Sequence, residues 1–251
     1  MILTDDQLQR YARHLILPEV GGAGQAKLRA AHVTFVGMGG VGCPALLYLA
    51  AAGIGTVRVI EDDAVALSNL QRQILFGTED VGHIKTDVAA REVLRVNPDV
   101  AFEPEWSRLD AANAADLLAG TDLVIDGSDN FATRLAVSDA TVHLRIPLVS
   151  AALGRFQVQI ATWRGWTEGP CYRCFVGDAF DCDDADTCAE QGVLGAVAGL
   201  AGSWAALEAA RALVGFGDEP GGKLHVFDGL KPAMRTIRVA KDPACKGCGQ
   251  P

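Results

Sequence analysis

Two pairs of cysteines, Cys171-Tyr-Arg-Cys174 and Cys245-Lys-Gly-Cys248, put four thiols at C-x-x-C spacing near the middle and the end of the chain. Four thiolates so spaced suit a closed tetrahedral zinc site that clips distant segments together and leaves no open position for chemistry. A single pair could be two buried or redox thiols; two matched pairs favour the metal. A second constellation lies earlier. Gly37-Met-Gly39-Gly40-Val-Gly42 follows a β-branched run, His32–Val36, and precedes an apolar stretch from Pro44 to Ala52. There, glycines permit a tight turn and bring backbone N–H groups against a pyrophosphate at a helix N-terminus. Glu61 ends the next β-branched run, where an acid can accept hydrogen bonds from ribose hydroxyls. Together these imply an adenine nucleotide without separating NAD from ATP, and the same glycines could serve only as a packing turn.

Other polar groups follow. Ser68-Asn69-Leu70-Gln71-Arg72-Gln73 and then Lys85 put two cations shortly after Glu61. Spacing alone describes them as a helix cap followed by solvated charges. Asp126-Gly-Ser-Asp129-Asn130 follows a third strand. Asp129 could meet substrate or magnesium at the carboxyl end of a parallel strand, or could cap a helix beginning near Phe131.

The elements that must hold these groups alternate. Strands are expected at His32–Val36, Thr56–Ile60, Leu123–Asp126, Pro147–Ser150 and Arg155–Trp163, and a strand pair after Lys223. Helices are expected at Pro44–Ala52, Lys85–Val96, Phe131–His143 and Val193–Val214. Gly195, Gly199 and Ser203 recur every four residues, so that last helix should have a nearly flat face able to approach another helix closely. The pattern predicts an α/β, Rossmann-like, doubly wound and mainly parallel sheet with an antiparallel C-terminal extension. Residues 1–251 form one domain in this reading: an N-terminal helical segment (1–30), a nucleotide-binding core (31–150) and a zinc-containing part (151–251). In the N-terminal segment Leu8, Tyr11, Leu15 and Ile16 are spaced to bury one face. The segment 177–192 holds six acids, no base and two cysteines, and should form a mobile loop.

Composition narrows the partners. The 251 residues carry 22 Lys+Arg against 31 Asp+Glu, a formal charge of −9. That sign opposes nucleic-acid binding, which needs clustered cations. The uncharged stretch Ala30–Val57 is punctuated by glycines and Pro44, and Gly192–Leu207 is shorter than a bilayer requires, so no membrane span is expected. The N-terminus shows no signal-peptide pattern, and seven cysteines suit metal binding more than a disulfide framework. A cytoplasmic location follows.

GMGGVG, SNLQRQ, Lys85, DGSDN, both C-x-x-C pairs and Arg10-Tyr11-Ala12-Arg13 together resemble the MoeB/ThiF family, bacterial relatives of ubiquitin-activating enzymes. The resemblance runs from about Asp6 to Gly249. It implies ATP-dependent adenylation of a small ubiquitin-like sulfur-carrier protein on the C-terminal glycine of its Gly-Gly end. It also implies that Glu61 binds ribose, that Asn69, Arg72 and Lys85 contact the phosphates, and that Asp129 holds magnesium. Asp63, Ser68 and Asn130 would complete the nucleotide site. Arg13 would reach the phosphates of a neighbouring subunit, making the active enzyme a homodimer. Cys188 matches a loop cysteine that links covalently to the carrier in some relatives; it could equally be a dispensable thiol.

The sequence departs from the family in three places. The ribose acid, usually Asp, is Glu61 here, one methylene longer. A Gly-Gln pair that relatives show before a following strand is Val158-Gln159. The rhodanese domain appended in some relatives is expected to be absent. Two other functions compete: an NAD(P)-dependent dehydrogenase, which would not explain Arg72, Lys85 and the cysteine pairs together, and a non-catalytic carrier-binding module.

Overall fold

The computed structural model describes residues 3–177 and 192–249. They form an eight-stranded sheet of order β3-β2-β1-β4-β5-β6-β7-β8, with β1 His32–Val36, β2 Thr56–Ile60, β3 Ala101–Glu105, β4 Leu123–Asp126, β5 Leu148–Gly154, β6 Gln157–Trp163, β7 Lys223–Asp228 and β8 Ala233–Arg238. The first five pair in parallel and the last three extend the sheet antiparallel. The strand order reverses at β1, between β2 and β4, which opens a crevice at the carboxyl ends of these strands.

Helices cover both faces. On one lie α3 (Gly21–Ala30), α4 (Gly42–Ala52), α5 (Lys85–Val96) and α9 (Gly195–Val214). Their apolar side chains join Val33, Phe35, Val57, Val59, Ile125 and Val149 in one core. On the other lie α6 (Ala114–Leu118), α7 (Phe131–Leu144) and α8 (Tyr172–Val176). They pack with Val36, Ile60, Val124 and Leu148 in a second core. Strands buried on both sides explain the near-continuous apolar runs.

Two expectations change here. First, α9 makes its close approach to α4 through Gly202, where a Cβ would sit 2.3 Å from Pro44 and 2.4 Å from the Val41 carbonyl; Gly199 faces open space. The buried positions, Ala198, Ala201, Gly202, Ala205, Ala206 and Ala209, follow the helical repeat one face away from the stripe read from the sequence. By length and composition α9 could cross a membrane, yet it packs on α4, β5 and β6 as a core helix. Second, the N-terminal arm is two short helices, α1 (Asp5–Arg10) and α2 (Ala12–Leu15), broken at Tyr11. Tyr11 is 1% exposed while Leu8 and Ile16 are 45% and 69% exposed, so only the tyrosine is a buried anchor.

Candidate active site

The glycine loop connects β1 to α4. Gly37 has φ +86°, and a Cβ on Gly42 would lie 2.4 Å from the Gly37 carbonyl oxygen. Backbone geometry therefore requires glycine at both ends of the loop. Beside Gly39 the nearest atom is Gln73 Nε2 at 3.8 Å, so its bare backbone faces the crevice. Helix α4 starts with no side-chain cap, leaving its N-terminal dipole for whatever enters. Cys43, in its first turn, is buried and donates to the Met38 carbonyl at 3.6 Å. Burial pushes this thiol up to about 12, so it is no nucleophile at neutral pH.

Loop, β2 end and β4 end enclose a cleft of about 440 Å³. Gly37, Gly39, Gly40, Glu61, Asp63, Asn69, Arg72, Lys85, Asp129 and Asn130 line it. Gly42 stands behind it in α4, and Ser68 is exposed beside it, where its carbonyl accepts from Arg72 Nη1 at 3.0 Å. Arg13 is exposed on the N-terminal arm and does not line the cleft. Cys188 lies outside the described residues.

Lys85 overturns the solvated-charge reading. Its side chain is 4% exposed, with Nζ 2.9 Å from Asp63 Oδ2 and 3.3 Å from Glu61 Oε2. Burial alone would lower the ammonium's pKa, but the Glu61 and Asp63 carboxylates outweigh it and the net shift is upward. Lys85 is therefore a fixed positive charge at neutral pH. A bridge between Ala64 and Ile84 and the Lys85 N–H bond to the Asp63 carbonyl set its position at the head of α5.

The Asp129 ambiguity also resolves. Asn130 caps α7, its Oδ1 accepting from the Thr133 N–H at 2.8 Å. Asp129 is exposed at the cleft, with no hydrogen bond or ion pair of its own among the described residues. A free carboxylate there has the hard oxygen donors that magnesium takes. Sequence reasoning missed the neighbouring Arg134, which is 7% exposed and donates to the carbonyls of Ser128 and Ala151. A cation in the first turn of a helix opposes the macrodipole, and that misplacement was the available signal. Gln73 Oε1 and Ser107 Oγ, also in the lining, are buried without partners among the described residues.

A second cavity of about 590 Å³ shares Asp129, Arg134 and Leu153 with the cleft, so the two adjoin. Its walls are largely apolar and aromatic, including Phe131, Phe156, Tyr172, Phe175 and Leu230.

Beyond that cavity the four cysteines converge. Sγ–Sγ distances are 3.9 Å for Cys171–Cys174, 3.6 Å for Cys171–Cys245 and 3.3 Å for Cys174–Cys248, and all four sulfurs lie within 4.8 Å of one another. Tetrahedral zinc with ~2.3 Å bonds needs sulfurs about 3.8 Å apart, so the donor set fits. Arg173, between two of these cysteines, grips Asp139 on α7 at 2.7 Å.

Comparison with known proteins is consistent over the whole chain. A model of the ThiF family matches residues 11–247. The chain is 44% identical to the sulfur carrier protein adenylyltransferase of Thermus thermophilus, over 98% of this chain and 92% of that protein. It is 41% identical to the SAMP-activating enzyme E1 of Haloferax volcanii, over 99% and 91%. Against the adenylyltransferase and sulfurtransferase MOCS3 of Bos taurus identity is 42%, covering 99% of this chain and 54% of that longer one. The crystal structure of E. coli MccB with MccA-N7isoASN has the same fold, with a TM-score of 0.84 at 22% identity over 97% of this chain and 75% of that one. With the glycine loop, the buried lysine and the four-cysteine cluster in place, this chain belongs to the ThiF family.

Proposed function

We propose that this chain uses ATP to adenylate the C-terminal glycine of a small ubiquitin-like sulfur-carrier protein ending in Gly-Gly, releasing pyrophosphate and preparing the carrier for sulfur transfer. The observation that carries this reading is the adjacency of the two cavities: cations at the cleft, and a largely apolar cavity that shares Asp129 and Arg134 with it. A carrier tail lying in the second cavity would bring its terminal carboxylate to the phosphates. Of the named relatives at more than 40% identity, one is named a sulfur carrier protein adenylyltransferase and another a SAMP-activating enzyme E1, which supports this reading.

The reaction asks little acid–base work of the protein. The carrier carboxylate is already ionised at pH 7, so one of its oxygens attacks the α-phosphorus without losing a proton. The new bond forms as the bridging oxygen to the β-phosphorus leaves with its electron pair. Negative charge then grows on pyrophosphate, and stabilising that charge is the catalytic task. In this proposal Arg72, Lys85, Asn69 and the N–H groups of the glycine loop surround the phosphates, with Asp63, Ser68 and Asn130 supporting them. Asp129 would hold magnesium, which supplies positive charge to the phosphate oxygens when bound. Cys171, Cys174, Cys245 and Cys248 would hold zinc, whose closed coordination ties the C-terminal segment to α8 and supplies no chemistry.

The working unit proposed is a cytoplasmic homodimer, in which Arg13 reaches the partner's phosphates. Its exposure, with Leu8, Ile16 and Leu17 exposed on the same arm, suits a subunit contact. Cys188 would act, if at all, after adenylation, because forming the adenylate needs no thiol. The test is carrier-dependent exchange of ATP with pyrophosphate. Arg72→Ala is expected to lower it at least ~10-fold. Undiminished exchange in that variant would contradict the phosphate assignment.

A further inference from the structure

Glu61 stands where nucleotide-binding sheets usually present an acid to the ribose hydroxyls. Its carboxylate, however, is fully engaged by the protein. Oε2 accepts from the Met38 N–H at 2.8 Å and lies 3.3 Å from Lys85 Nζ. Oε1 accepts from the N–H groups of Asp62 and Asp63, both at 3.0 Å. An ionised carboxylate offers about four lone-pair positions, and four donors occupy them. The side chain is 8% exposed, so water does not compete for these bonds.

The bonds also explain what the extra methylene does. Met38 belongs to the glycine loop and Asp62 to the β2 end, so Glu61 ties the two together across the crevice while neutralising Lys85. Displacing the Met38 N–H would leave a buried donor unpaired, and displacing Lys85 would leave its ammonium with Asp63 alone. A sugar hydroxyl gains nothing by replacing them.

We infer that Glu61 is a positioning residue that fixes the glycine loop and Lys85, that it does not recognise the sugar hydroxyls, and that the site therefore takes adenosine and deoxyadenosine triphosphates on nearly equal terms. This deepens the proposed function and rests on the cleft being an ATP site. In a shorter acid the reach to Met38 is lost and lone pairs become free for a hydroxyl.

The experiment is calorimetric titration of the whole protein with the magnesium salts of ATP, 2′-deoxyATP and 3′-deoxyATP, which needs no carrier. Dissociation constants within ~3-fold of one another in the wild type support the inference. A loss of ~10-fold or more with either deoxynucleotide, the scale of a hydrogen bond to a charged group, overturns it while leaving the ATP site intact. Failure of ATP itself to bind overturns the site and this inference together. Glu61→Asp supplies the second readout: it should bind ATP more weakly and begin to reject 2′-deoxyATP by ~10-fold or more. A Glu61→Asp protein that binds ATP and 2′-deoxyATP as evenly as the wild type would remove the saturated carboxylate as the cause.

Discussion

Asn130 Oδ1 accepts the Thr133 N–H at 2.8 Å and so caps α7, which releases the adjacent Asp129 to face the cleft. The two side chains should therefore differ in what they contribute to stability. Asn130→Ala is expected to cost ~1 kcal/mol of stability through the lost cap. Asp129→Ala should leave stability within ~0.5 kcal/mol and depress adenylation, an effect that raised magnesium only partly offsets. Thermal melts paired with activity assays check both, and destabilisation by Asp129→Ala comparable to that of Asn130→Ala would contradict the division.

Stability should fall with pH through Asp80. This carboxylate is 2% exposed and accepts from Arg91 at 2.8 and 3.1 Å and from the Gly77 N–H at 2.8 Å. The Arg91 hydrogen bonds, partly opposed by burial, hold its pKa below the usual value. An acid depressed in the folded state adds stability above its unfolded pKa and loses it as pH falls through the folded one. Melting temperatures should drop steeply below about pH 4. Asp80→Asn should be less stable at pH 7, by about 1–3 kcal/mol, and lose part of that acid dependence. Because the loop it braces leads into Lys85, nucleotide affinity should weaken as well. Coincident melting curves for the two proteins across pH 3–7 would refute the role.

One zinc per chain should be found by elemental analysis of protein purified without chelators. Cys248→Ser should release the C-terminal segment, raising hydrogen exchange over residues 241–249 while β1 and β4 stay protected. Activity loss in that variant should follow loss of fold. Metal-free protein with a normal melting temperature would remove the zinc assignment.

The sequence was most informative where backbone geometry forces a residue type. Gly37, Gly42 and the C-cap Gly53, at φ +81°, are where strand, loop and helix must fall, and they do. It was least informative at edges and in three-dimensional pairings. Strand β3, Ala-Phe-Glu-Pro-Glu, is an edge strand with mostly exposed side chains, so it lacks alternation and tolerates Pro104. The β5–β6 hairpin was hidden because Arg155 takes the left-handed position, φ +50°, that glycine usually marks, so the strand starts at Gln157 and not at Arg155. The burial of Lys85 could not be read from spacing, since Glu61 and Asp63 meet it only when the β2–α5 connection folds back. The family resemblance supplied roles for these residues; it did not supply their contacts.

Arg13 lies on an arm pinned by Tyr11, whose hydroxyl accepts from Asn97 Nδ2 at 2.9 Å. The arm is fixed to its own subunit, while Arg13 is exposed and is not part of the cleft lining. If Arg13 completes the partner's site, mixing Arg13→Ala with Lys85→Ala subunits should restore part of the activity, because one composite site per heterodimer is intact. Arg72→Ala serves in place of Lys85→Ala if that variant folds poorly, since removing a buried cation strands Glu61. No recovery once subunit exchange is verified would confine Arg13 to a local role.

The central claim is the chemistry itself, and mass spectrometry of the carrier tests it most directly. The protein, magnesium ATP and a ubiquitin-like sulfur carrier with a free Gly-Gly end should yield carrier bearing AMP as an acyl adduct, with one pyrophosphate released per adduct. Cys188→Ala should give the same adduct, and a carrier with an amidated C-terminus should give none. ATP turnover without an AMP-carrying carrier, or an equal yield from the amidated carrier, would contradict the account.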